Sequence, residues 1–120
     1  GPETTPGLVG GVAASEVSTI VTWAAKYRAK YRGAAVSGTV VHDAILAALV
    51  ARFEEYPIGG FEQTLGAGTI PVEDIRGTVK GAHPAIIDDG LISPNVDVPL
   101  PIGTVAHLAF PSGTETPVTP

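Results

Sequence analysis

The sequence contains no cysteine and no methionine, and only 6% of its residues are aromatic and 16% charged. Without cysteine there is no disulfide framework, no thiolate metal site and no cysteine nucleophile. No apolar run reaches about 18 residues, so no segment is long enough to cross a bilayer as a helix. Basic residues are scarce, seven against twelve acidic ones for a net charge of −5. That balance argues against wholesale or sequence-specific nucleic-acid binding, which needs a basic footprint. Signature motifs are missing too: there is no H-E-x-x-H, no G-x-S-x-G and no complete phosphate loop. What is present is a chain of 120 residues, 44% of them hydrophobic, with a mean hydropathy of +0.28. This suits one domain that buries roughly two-thirds of its unfolded surface, and it is too apolar for a wholly disordered chain.

Gly, Pro and Thr concentrate at the two ends. Residues 1–14 (GPETTPGLVGGVAA) and 111–120 (PSGTETPVTP) cannot bury enough apolar area on their own to offset the entropy of ordering them. They are expected to be extended arms held by a neighbouring surface, flanking a single α+β domain over residues 15–110. Leu8 and Val9 in the first arm, and Pro117 to Pro120 (Pro117 and Val118 above all) in the second, are the expected contacts. The chain opens on Gly1-Pro2, which reads as a processed terminus or the remnant of a cleaved tag. Charge is divided along the chain. In residues 1–33, Lys26, Arg28, Lys30 and Arg32 face only Glu3 and Glu16, a net of +2; residues 34–120 hold three basic and ten acidic residues, a net of −7. A basic end and an acidic body can meet head to tail in an assembly.

The expected fold class is α+β: two N-terminal helices followed by a small antiparallel β-sheet, with extended terminal arms. Val17, Ile20, Val21, Ala24, Tyr27 and Tyr31 recur at three- and four-residue steps, which predicts a helix over Ser15–Arg32, capped by Ser15 and stopped by Gly33. A second helix is expected over Thr39–Tyr56, with Thr39 as cap, Asp43 in its first turn, Val41, Ile45, Leu49 and Phe53 stepping by four, and Pro57 ending it. After residue 57, Gly and Pro recur every few residues, which excludes long helices. Short strands are expected at Phe61–Leu65, Thr78–Lys80, Ala85–Ile87, Leu91–Ile92 and Thr104–Phe110, with a hairpin turn at Asp89-Gly90. The two prolines of DVPLPIG (residues 97–103) suit an edge or an extended arm. The expected core includes Trp23, Tyr27, Ile45, Leu49, Phe53, Leu108 and Phe110.

No catalytic, metal or cofactor site is assigned by spacing. His42, His83 and His107, with Asp43, Asp88 and Asp89, lack any metal-ligand pattern and read as surface or satisfied core residues. The adjacent acid pairs Glu54-Glu55, Glu73-Asp74 and Asp88-Asp89 point in different directions on a regular element rather than converging as a dyad. Gly66-Ala67-Gly68 lacks the lysine of a phosphate loop and the third glycine of a dinucleotide fingerprint. Glu54-Glu55, at a helix C-terminus where the dipole disfavours acids, suits an external basic partner such as Lys26, Arg28, Lys30 and Arg32 of another copy. The run TWAAKYRAKYRG interleaves aromatics with these basic residues and reads as core aromatics beneath a basic face.

The function expected from these features is that of a structural assembly protein that binds copies of itself or neighbouring subunits through its terminal arms. In composition and layout the chain resembles the small Ala/Val/Gly-rich head, neck and tail proteins of phages from high-GC hosts. That resemblance implies a virion component. The alternative is a small enzyme or enzyme subunit with an inter-chain site built from His and Asp/Glu.

Overall fold

From Val17 to Tyr27 every second residue is apolar or small, and Val17, Thr19, Val21, Trp23 and Tyr27 share that set. β-Branched and aromatic side chains of this kind suit a pleated, half-buried surface. In the computed structural model, which describes residues 15–64 and 67–119, the segment is accordingly a strand and not the expected helix over Ser15–Arg32. In chain order the elements are β1 (Ser15–Arg28), β2 (Lys30–Tyr31), β3 (Ala34–Ala35), α1 (Gly38–Glu55), β4 (Phe61–Thr64), β5 (Ala67–Ile70), α2 (Val72–Gly81), β6 (Ile86–Asp88), β7 (Leu91–Ser93), β8 (Val98–Pro101) and β9 (Thr104–Val118). The class is α+β, but a strand comes first. The apolar residues of β1 satisfy a helical and a strand period alike. Pairing along both of its edges decides between them.

β1 runs through the middle of a four-stranded sheet. On one side β9 lies parallel to it, from Thr104 opposite Ser15 to Val118 opposite Arg28. On the other side β6 and β7 run antiparallel, with Asp88 opposite Lys26 and Leu91 opposite Trp23. The main sheet is therefore mixed rather than purely antiparallel. Asp89-Gly90 is not a hairpin, because β6 and β7 lie in one line beside β1. Gly90 (φ 59°) instead marks a break in that line: its carbonyl accepts from the Ala24 amide at 2.8 Å. A Cβ there would meet the Ala24 carbonyl. Asp88 and Asp89 accept from the Gly90 and Leu91 amides, the usual work of aspartates in turns. Beyond Arg28 the chain continues into the short β2–β3 hairpin. Its turn residues, Arg32 (φ 51°) and Gly33 (φ 82°), both take the left-handed conformation that two-residue hairpin loops favour.

α1 matches the expected second helix within a residue at each end. Its cap is Ser37, whose hydroxyl accepts from the Val40 amide at 3.1 Å, two residues before the expected Thr39, so Asp43 lies beyond the first turn. Val41, Ile45, Leu49 and Phe53 form its buried stripe. The strand expected at Thr78–Lys80 is instead the end of helix α2. Pro71 precedes that helix, Glu73 and Asp74 occupy its positive end, and Ile75 and Val79 are buried one turn apart. Gly77 misleads the sequence reading here, since one exposed glycine in a short helix costs only about 1 kcal/mol. β4, β5 and β8 form a second, antiparallel sheet in which β8, carrying the prolines of DVPLPIG, is an edge paired to β5 alone.

Both helices and the inner faces of the sheets enclose one core, in which Trp23, Ile45, Leu49, Ile70, Ile75 and Leu100 are fully buried. Tyr27 and Phe53 are buried with them, and Leu108 packs half-buried against the cluster. Phe110 does not: it is 82% exposed. It sits at a register shift in β9 between Ala109 and Ser112, with φ 45°. A bulge adds one residue to a strand and turns the local side chain away from its face, and here Phe110 is the residue displaced.

The Trp23 ring lies flat against Gly113, its partner on β9; a Cβ at Gly113 would come within 2.4 Å of the indole. Two glycine substitutions should therefore act in opposite directions. Gly113→Ala should destabilise the fold by about 1–3 kcal/mol through overpacking. Gly77→Ala, into open space, should stabilise it by about 0.5–1 kcal/mol. Urea melts of the two variants beside the parent check both signs.

Candidate functional site

Two polar clusters tie the elements together. In the first, the buried carboxylate of Glu115 on β9 accepts from Trp23 Nε1 at 2.6 Å and lies 2.8 Å from His42 Nδ1. The indole and imidazole rings are 5.6 Å apart. β1, β9 and α1 thus meet at one carboxylate, whose side chain is only 9% exposed. Chemically this is a base with an orienting carboxylate. Among the described residues no hydroxyl nucleophile hydrogen-bonds to His42, so the cluster stands as a structural tie. A charge-bearing acceptor so enclosed is costly to remove, because its donors are left unsatisfied. Its members lie 19 to 92 residues apart in sequence, which is why no spacing motif discloses it.

In the second cluster, Arg52 of α1 grips Asp74 of α2 with two bonds, Nε to Oδ1 at 2.8 Å and a terminal nitrogen to Oδ2 at 2.7 Å. The Tyr56 hydroxyl donates to the same Asp74 at 2.8 Å, and the guanidinium lies over the Tyr56 and Phe61 rings. The paired Arg52 bonds, more than the Tyr56 hydroxyl, hold the Asp74 carboxyl below its ordinary range against the opposing effect of burial. Burial and the bond to Asp74 push the Tyr56 hydroxyl up. Arg76 pairs with Glu73 on its own helix and approaches Asp89 at 3.7 Å.

Of the residues expected to touch a partner, Leu8 and Val9 lie outside the described residues, as does the residue 1–14 arm. Lys26 and Arg28 are exposed on the outer face of β1, Lys30 on β2, and Arg32 in the hairpin turn. Lys26 and Arg28, two residues apart on β1, share a face. Pro117 and Val118 close β9 opposite Tyr27 and Arg28. The structure brings Arg28, Lys30, Val118, Ile87 and Thr119 together around a cleft of about 130 Å³. Glu54 and Glu55 sit apart from them, exposed at the far end of α1. Glu54 there borders a second, larger groove of about 390 Å³, lined by Val50, Phe53, Ala106, His107, Leu108 and Pro111. Nearby, His107 Nδ1 lies 4.0 Å from Glu16.

The three histidines do not converge. His42 contacts Glu115, His107 faces Glu16, and His83 accepts from the Ala85 amide through Nδ1 at 3.0 Å. Among the described residues no group of three His, Asp or Glu side chains is arranged to hold a metal ion. No described helix is long and apolar enough to cross a membrane. The outer face of the main sheet displays Ile20, Ile92 and Phe110, each more than half exposed. Among the described residues no strand lies along the outer edge of β9, the sheet order ending there. No family model matches the chain, and neither does any curated protein.

Two measurements check the clusters. Glu115→Ala should cost about 1–3 kcal/mol and shift the tryptophan fluorescence, because the single indole loses its acceptor. Because the folded Asp74 carboxyl titrates lower than in the unfolded chain, its contribution to stability is full above the unfolded value, near pH 4, and is lost as pH falls through the folded one. Acid melts of Asp74→Asn should accordingly show a shallower loss of stability below about pH 4 than the parent.

Proposed function

We propose that the chain is a structural subunit that associates with copies of itself or with neighbouring subunits, as a component of a phage or virion head, neck or tail. The observation that carries this reading is the open edge of β9. A strand of 15 residues spans about 50 Å and presents its outward backbone groups along a line where no described strand pairs. Long exposed edges are templates for another chain, and monomeric proteins shorten or cover them. Along β9 the Thr104 carbonyl accepts from the Gly59 amide, and the strand is broken by the bulge at Phe110-Pro111 and by Pro117.

One further feature favours the same reading. Ile20, Ile92 and Phe110 place large apolar side chains on the outer face of the sheet, where a lone globule gains nothing from them. The first residues of β1, Ser15 and Glu16, are exposed at the end of the sheet near the last turn of α1. Residues 111–118, expected as an arm held by a neighbouring surface, are instead the second half of β9, paired with β1 of the same chain. The expected contacts at Pro117 and Val118 fall on the last turns of the open edge itself.

Light scattering across a dilution series should give masses above the 12.2 kDa of one chain. Phe110→Asn removes the exposed ring and suits the left-handed backbone at that position. It should shift the distribution toward the monomer while leaving the melting temperature of the monomer unchanged or higher. A clean monomer for the parent at every concentration would end the assembly reading.

A further inference from the structure

The chain has seven Lys and Arg residues. Arg52 and Arg76 are held in ion pairs with Asp74, Glu55 and Glu73. Lys26, Arg28, Lys30 and Arg32 make no ion pair with any described residue. Lys26 and Arg28 project from alternate positions on the outer face of β1, Lys30 joins Arg28 at the cleft from β2 beyond the bend at Ala29, and Arg32 sits in the hairpin turn. This cationic segment ends at the β2–β3 hairpin, beside the N-terminus of α1, where Gly38 packs against Tyr27.

At the other end of α1 the signs reverse. Glu54 and Glu55 occupy its last turn, where the dipole is negative. Glu16 lies exposed at the start of β1 on the same end, opposite Val105. Glu55 is offset by Arg52 at 3.2 Å, so Glu54 is the acid left exposed at this negative terminus, while Arg28 and Lys30 stand beside one cleft with no ion pair to any described residue. Each is relieved by the other, but within one molecule they cannot meet. The cationic cleft includes Val118, while the groove beside Glu54 includes Leu108. Those two positions on β9 are ten residues apart, about 33 Å along a strand.

We propose that the Lys26–Arg32 segment of one copy docks on the Glu54-Glu55 end of a second copy. The C-terminal acids of the second copy's α1 enter the cleft between Arg28 and Lys30, above the apolar side chains of Ile87 and Val118. The contact is head to tail, joining unlike surfaces, so it generates a ring or a continuing tube rather than a closed pair. It rests on the self-association reading and names the surfaces that carry it. A nucleic-acid partner for the same cations is less favoured: the chain is acidic overall, whereas its own far end supplies the complementary charge.

The test uses charge reversal on the full chain, with mass read by light scattering at low and high salt. Arg28→Glu with Lys30→Glu, and separately Glu54→Lys with Glu55→Lys, should each weaken association by about tenfold or more. Combining all four substitutions restores complementarity and should recover association to within about threefold of the parent. The parent's association should itself weaken as salt rises. The neutral pair Arg28→Gln with Lys30→Gln gives a milder loss and guards against misfolding of the reversed variants, with thermal melts as control. Oligomers that ignore both salt and reversal would overturn this contact while leaving self-association standing. A parent that stays monomeric would overturn both. Binding of a single-stranded oligonucleotide that is lost on Arg28→Glu with Lys30→Glu, with no change in protein mass, would assign the cations to nucleic acid and overturn the contact.

Discussion

The parallel pairing of β1 with β9 is the constraint on which everything else depends. It joins segments about ninety positions apart, as Trp23 opposite Gly113 shows, and parallel neighbours need a long crossover between them. Here the crossover is the rest of the molecule: the β2–β3 hairpin, both helices and the small antiparallel sheet. Closing so long a loop is entropically costly, and the pair is secured where the closure occurs. The Trp23 indole covers the bare backbone of Gly113, and two residues further on Glu115 accepts the indole hydrogen and contacts His42 of α1. Packing of a large aromatic and satisfaction of its one polar atom therefore happen at the same place, and they bind strand, strand and helix together.

With that pair in place, the direction of α1 is decided. It starts beside Tyr27, passes over Trp23 through His42, and ends beside Ala106 and Leu108 through Phe53. This direction puts the β2–β3 hairpin at its beginning and the carboxylates of Glu54 and Glu55 at its end. The Arg52–Asp74–Tyr56 cluster then locks α2 to the last turns of α1. It uses one of only two arginines not committed to the open cationic segment. The charge distribution is thus a consequence of topology, since it is the strand pairing that sends the two ends of α1 apart.

Much of this was legible in the chain. The four-residue steps of Val41, Ile45, Leu49 and Phe53 fit a helix, and the Pro-free apolar run that carries them is longer than an ordinary strand. Pro57 ends it by chemistry that holds in any context. The prolines of residues 97–103 suited an edge or an extended arm, and β8 is an edge. The first segment was different. Its apolar residues fit two periods, and the strict alternation of Lys26, Arg28, Lys30 and Arg32 with uncharged residues was the signal that favoured a strand. For α2, Gly77 concealed a helix that Ile75 and Val79 supply with a buried face. The two polar clusters had no local signal, because their members come from separate elements.

By itself the sequence determined the α+β class, the second helix, the core positions of Trp23, Tyr27, Ile45, Leu49 and Phe53, and the division of charge between the N-terminal third and the remainder. These follow from local periods, proline stereochemistry and composition, which act over a few residues and need no partner. Only the tertiary structure decided that Ser15–Arg28 is a strand, that Asp89-Gly90 interrupts a line instead of reversing it, that Phe110 is exposed, and that Arg28 and Lys30 meet at one cleft. Each of those depends on which strand lies beside which. Backbone hydrogen bonding between distant segments makes that choice, and the free energy separating the alternatives resides in pairs of residues that the linear order keeps apart.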